Sequence, residues 1–319
     1  YGATNTNVIL LHNTIGMKME NISISCRDIA GTRGLALGAD ATAVSIVKNL
    51  NVESLEISHC DIGLRLGDLA ANGPDIASNT FTNVYLHHHI SQGVSQNSGN
   101  GVAIFNNLLA SCNGVTPAGG RKGVNIYVEG GSIDLYGYVG IGDSVSCAGK
   151  PADGDIYLSS AGIHVVGAWS EVHGPFITNA GSPLQSSVIT GSKHYNATMT
   201  DTLVPKSIVW AASNPLIIDG FYFTNIEVNA GTSSLVMDRG VQFYSGAQHD
   251  LAVVPTFTGT AISNQFAYVG TPGTASRGRI AIGRPPSTVV GSSFSEAPSI
   301  EMTGNELRNL MVFCTKDGG

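Results

Sequence analysis

The sequence predicts an all-β chain wound as a right-handed, single-stranded parallel β-helix, with a β-rich segment at its C-terminal end. Composition, internal repetition and the scarcity of hairpin turns carry that prediction. Of 319 residues, 12% are charged and 40 are Gly. Helix faces need Glu, Lys and Arg, and each Gly weakens a helix interior by about 1 kcal/mol. Ser, Thr, Asn, Val and Ile are abundant instead, and they favour strands and turns. Few Asn-Gly or Asp-Gly pairs separate adjacent strand-like runs, so a sandwich of hairpins at 8–12-residue spacing is the second choice.

The repeat unfolds in order along the chain. Strand-like pieces begin at Asn21 (NISISCRDI), Ser54 (SLEISHCDI), Asn83 (NVYLHHHIS), Asn107 (NLLASCNG), Ser132 (SIDLYGYVG), Gly162 (GIHVVGAWSE) and Ser186 (SSVITGSKHYN). Successive starts differ by 33, 29, 24, 25, 30 and 24 residues. A second series starts at Gly34, Gly63 and Gly93, with differences of 29 and 30. Each unit has alternating apolar residues and a turn rich in Gly, Asn or Asp. One unit cannot bury its inner face alone, but stacked units bury a continuous column. Leucine-rich repeats overlap this period but need an L-x-x-L-x-L frame that is missing. After Tyr195 the frame loosens, and further coils extend to about Gly246. Residues 247–319 are richer in Pro, Thr and Gly and read as a capping or oligomerisation segment over the open end of the stack.

Net charge is −7 and the pI about 5.6, with no basic run longer than Arg121-Lys122. Phosphate neutralisation needs clustered Lys and Arg, so nucleic acid is not an expected partner. No apolar run approaches the ~18 residues of a membrane span. Tyr1 opens without a basic or apolar leader, which reads as a mature or trimmed chain. Cys26, Cys60, Cys112, Cys147 and Cys314 form no CxxC pair and are odd in number, so they read as buried, reduced thiols. Cys26, Cys60 and Cys112 follow equivalent strands and are expected to stack at one turn. Asp28, Asp61 and Asn113 come close behind as a polar ladder. In the triplet at 87–89, strand alternation puts His87 and His89 on one side and His88 on the other. No metal or other cofactor is expected.

The strand starts NISI, NLNV and FTNVYL, and above all HVVGAWSEVHGPF, resemble the pectin-lyase-like β-helix superfamily, and within it the branch of phage tailspikes and polysaccharide depolymerases. The resemblance spans roughly residues 15–246. It implies a polysaccharide ligand, an extracellular or virion-associated protein and, for a tailspike, a parallel homotrimer. It also implies two candidate chemistries: hydrolysis by paired carboxylates, or elimination by a basic residue.

Hydrolysis needs carboxylates ~5–5.5 Å apart for retention or ~6.5–9.5 Å for inversion. Neighbouring coils are ~4.8 Å apart, so acids on adjacent coils can meet either condition. With Ile126, Val128, Ile133 and Leu135 inward, Tyr127, Glu129, Asp134 and Tyr136 point outward. His164 does the same, and Trp169, Glu171 and His173 follow. These residues are expected to line one outer face. Asp134 and Glu171 are the candidate catalytic acids. Trp169, His164, Tyr136, Glu129, Tyr127 and His173 are the candidate substrate-binding residues, because aromatic rings stack on sugar faces while acids bond hydroxyls. Asp143 and Asp155 are further acids, whereas Asp40, Asp68 and Asp143 also suit turns after Gly. His173, Lys193, His194 and Tyr195 are the alternative cluster for a lyase. The reading from a different class is a non-catalytic glycan-binding or structural fibre component. Scattered carboxylates would favour it.

Overall fold

The computed structural model describes residues 6–39, 45–67, 75–142, 147–181, 187–194, 207–210 and 216–220, and short strands beyond them. Asp40, Asp68, Asp143, Tyr195 and the boundary at 246 lie outside the described residues. The chain is all-β, with parallel strands stacked as a β-solenoid of about six turns.

Three strand columns form its walls. The first runs from Thr6–Leu11 through residues 32–37, 62–66, 92–96 and 124–128 to Gly154–Leu158, Ile177–Asn179 and Ile208–Trp210. The second stacks residues 18–20, 51–53, 79–82, 103–106 and 132–136 on Gly162–Val166, Ser187–Thr190 and Leu216–Asp219. The third stacks residues 22–25, 55–58, 84–87 and 108–111 on Val139–Gly142, Trp169–Val172 and Lys193–His194. Far along the chain, Gly278–Ala281, Ser299–Met302 and Val312–Cys314 form an antiparallel sheet.

Period-2 alternation sends one apolar side chain per coil inward at each position. Leu35, Leu64, Val94, Ile126, Ile156, Ile177 and Ile208 make one buried file inside the first column. Val52, Phe81, Phe105, Leu135, Val165, Ile189 and Ile218 make another inside the second, where Phe81 and Phe105 stack 4.8 Å apart. Each such burial contributes about 1.5–3 kcal/mol, and the file continues only if every coil keeps register.

A one-residue corner joins the second and third columns. It is Asn21, Ser54, Asn83, Asn107, Gly137, Gly167, Gly191 and Gly220 on successive coils, all with positive φ. Asn and Gly tolerate that conformation best. Several strand starts read from the sequence are therefore corners. In the coil of Ser132 the corner is Gly137, five residues later, so the true spacing is 30 residues after Asn107. Gly167 has φ 68° and open space where a Cβ would go. Gly167→Asn is expected to fold with little loss, while Gly167→Val costs about 1–2 kcal/mol per left-handed residue; chemical denaturation of both variants checks this.

The cysteine expectation is corrected. Cys26 is bonded to Cys60, and Cys112 to Cys147. The stacking of Cys26 and Cys60 on adjacent coils brought them within bonding distance; an odd count of cysteines hid that pairing.

Candidate functional site

The side chains singled out by sequence divide among three faces. On the first column, Tyr127 is in register with Tyr157 of the next coil, with ring centroids 6.0 Å apart. Lys122 Nζ lies 4.7 Å over the Tyr157 ring and 3.0 Å from Asp153 Oδ1. Glu129 follows at the end of this strand and accepts a 2.7 Å bond from Asn97 Nδ2. Burial, then the nearby Glu129, pushes the Tyr127 phenol above its ordinary range.

On the second column Asp134 and His164 are register partners, and the Tyr136 ring meets His164 edge-on at 5.7 Å. Partial burial raises the Asp134 carboxyl, and His164 pulls it back down. On the third column the exposed Trp169 indole donates through Nε1 to Glu171 Oε1 at 2.7 Å, and Lys193 Nζ of the next coil sits 4.3 Å over its ring. Asp134 and Glu171 thus point from different sheets, on either side of the Gly137–Gly167 corner. The expected single face is split because that corner turns the chain between Tyr136 and Val139, and again between Val166 and Trp169.

Three further candidates lie inside. His173 is buried. His194 is buried, bonded to Ser207 Oγ (2.8 Å) and the Val172 carbonyl (3.2 Å), and burial holds it near pKa 4. Asp155 is fully buried and accepts from Asn125 Nδ2 (2.9 Å), Ser170 Oγ (2.6 Å) and the Tyr138 hydroxyl. Burial raises its carboxyl to about 6, against those three donors.

Asp155 ends a buried polar string. Asn125 also accepts from Asn113 Nδ2 (2.8 Å), and Asn113 accepts from the His89 amide (2.9 Å). Gly63 and Gly93 occupy the column position that Asn125 and Asp155 fill later. A Cβ on Gly93 would meet the Asn113 amide at 2.9 Å, and one on Gly63 would collide with the His89 ring. Gly63 and Gly93 of the second glycine series are therefore room made for this string, while Gly34 makes room for Ile57. Asp61 belongs to a separate buried group with Ser91 Oγ (2.6 Å), the Gly31 amide (2.8 Å) and Arg121. The expected ladder of Asp28, Asp61 and Asn113 is thus broken up, for Asp28 is exposed and bonded to His59.

The His87–His89 triplet also departs from simple alternation. His88 has φ 56°, which turns His89 into the core and leaves His87 and His88 side by side outside. Sequence reasoning missed Tyr157 and Lys122 as members of an aromatic face. The signal was present: "IYL" at 156–158 repeats "IYV" at 126–128 one coil later.

The arrangement offers fixed aromatic platforms edged by charge, along walls that repeat every ~4.8 Å. The chain matches no family model, no curated protein and no solved structure.

Proposed function

We propose that this β-solenoid binds polysaccharide on the outer surface around Trp169, as the pectin-lyase-like resemblance implies. The observation that carries the reading is the Trp169 indole: 41% exposed, yet held by Glu171 from its edge and Lys193 from its face. An indole presents a large, rigid apolar surface with a polar edge, which suits the apolar face of a sugar ring. Glu171, at the indole edge, is then placed to bond hydroxyls, and Lys193 lies over one face of the ring. Asp134, Tyr136 and His164 extend the surface across the corner.

A hydrolytic reading rests on Asp134. Its carboxyl is raised by partial burial, the direction required of a general acid. Glu171 points from a different wall, so it does not supply Asp134 with a paired acid, and that split favours binding over hydrolysis. Secretion or display outside the cell fits the two disulfides, which persist in oxidising compartments.

The test is retention on a panel of capsular, cell-wall and plant polysaccharides by affinity electrophoresis, with products analysed by mass spectrometry. Trp169→Ala is expected to lower retention about tenfold or more, the scale on which an aromatic anchor contributes, without changing thermal stability. Products carrying an added water that disappear in Asp134→Asn support hydrolysis. Unsaturated products exclude it. Wild-type binding that Trp169→Ala leaves intact moves the site elsewhere.

A further inference from the structure

The outer end of the third column carries a cluster that the glycan reading does not use. Asp28, Glu56, His59, Tyr85, His87 and His88 come together there from three successive coils. His87 Nε2 lies 3.2 Å from Glu56 Oε1. An ionised carboxylate only accepts, so Nε2 carries a proton, and in the neutral imidazole this leaves a lone pair on His87 Nδ1. His88 Nδ1 is 2.9 Å from that lone pair. The His59 ring lies flat against His88, with centroids 5.3 Å apart and planes at 11°, and Asp28 holds His59 Nδ1 at 3.1 Å. Tyr85 stacks on His87 at 4.2 Å. Both imidazoles of the pair are therefore braced on a face, and His87 is fixed in its tautomer.

We propose that His87 Nδ1 and His88 Nδ1 form a two-nitrogen chelate for a divalent transition metal of tetragonal preference, Cu2+ or Ni2+. Two metal–nitrogen bonds of about 2.0–2.1 Å at a right angle span about 2.9 Å, whereas tetrahedral Zn2+ wants its nitrogens about 3.3–3.4 Å apart. Square-planar and tetragonal nitrogen sites select Cu2+ and Ni2+. Binding replaces the direct Nδ1–Nδ1 hydrogen bond: neutral His88 shifts its proton from Nδ1 to Nε2 through solvent, with no net release, and both rings turn so that their lone pairs meet at the metal. Among the described residues no three His, Cys, Asp or Glu side chains form a ready metal cage, so water completes the coordination sphere. Glu56 is a positioning residue: a carboxylate on the distal nitrogen orients a ligating histidine and raises its basicity. The metal would sit on the outside of the solenoid, reachable through the exposed His88.

The test uses the full chain without any affinity tag, titrated with NiCl2 by calorimetry and with CuSO4 by visible absorption at one fixed pH. One ion per chain and a nitrogen-rich copper band are expected. His87→Ala and His88→Ala each abolish tight binding, and Glu56→Ala weakens it about tenfold, as outer partners of ligating histidines do. His59→Phe keeps the stacking face and keeps binding. Thermal melts of every variant confirm folding. Absence of Ni2+ and Cu2+ binding by the wild type overturns the proposal. So does binding unchanged in the His87→Ala/His88→Ala double variant, or Zn2+ binding tighter than both.

Discussion

Reducing the two disulfides lowers the thermal midpoint steeply. Cys26–Cys60 closes 34 residues and Cys112–Cys147 closes 35. In the chain-entropy account, loops of this length contribute about 4 kcal/mol each. For a chain of this size that corresponds to a midpoint shift of roughly 6 °C per bond. The two bonds do different things. Cys26–Cys60 ties two neighbouring coils across a register shift between their strands. Cys112–Cys147 ties a left-handed corner to the excursion between Val139–Gly142 and Gly154–Leu158. Cys26→Ala and Cys112→Ala are therefore expected to lower the midpoint separately, and protection from amide exchange is lost around different coils. Equal midpoints with and without reductant would refute both bonds.

Asp155→Ala is expected to cost on the order of 4 kcal/mol, because it strands the Tyr138 hydroxyl, Ser170 hydroxyl and Asn125 amide in the core, and a stranded buried donor costs about 1–3 kcal/mol. Asp155→Asn keeps most of the volume and shows a different effect, in pH. The Asp155 carboxyl is raised from 3.8 to about 6 on folding. The folded state therefore holds this proton more tightly than the unfolded chain. That contribution is fully present below pH 3.8 and is lost as pH rises through 4 to 6, about 3 kcal/mol over the window. His194 and His89 act the other way: burial lowers them from 6.5 to about 4 and about 3. Their contribution is present above pH 6.5 and is lost as pH falls below it. Wild-type stability between pH 4 and 6 is a partial cancellation of these slopes. Removing the carboxyl exposes the histidine slope, so Asp155→Asn gains on the wild type steadily from pH 4 to 6. Urea midpoints at pH 4, 5, 6 and 7 read this directly. Parallel curves for the two proteins would show that Asp155 does not titrate in that range.

The wall strands were legible in the sequence because alternation needs only neighbours. Ile126, Val128, Ile133 and Leu135 are inside, and Tyr127, Asp134 and Tyr136 outside, as the pattern predicts. The corner was not legible. Asn, Ser and Gly start strands as readily as they bend them, and only the stacked φ values distinguish the two. Missing the corner merged three faces into one and made Asp134 and Glu171 look like a pair. Trp169 and Glu171 were recognisable together, being two residues apart on one strand. Lys193 over Trp169 was not, since it depends on inter-coil register. His87 and His88 were separated by a rule that holds for regular strands and fails at a left-handed residue.

The one-residue corner has a consequence for how such a chain can change over generations. Along the stack it never lengthens: one residue turns the chain at every level from Asn21 to Gly220. The other two bends absorb every difference in coil length, from the single residue between Cys60 and Ile62 to the stretch between Ser111 and Val124. The molecule has a spine along one edge and free margins along the other two. Segments can be inserted, deleted or exchanged at those margins without rotating the walls, and a whole coil can be duplicated so long as it brings its own vertebra.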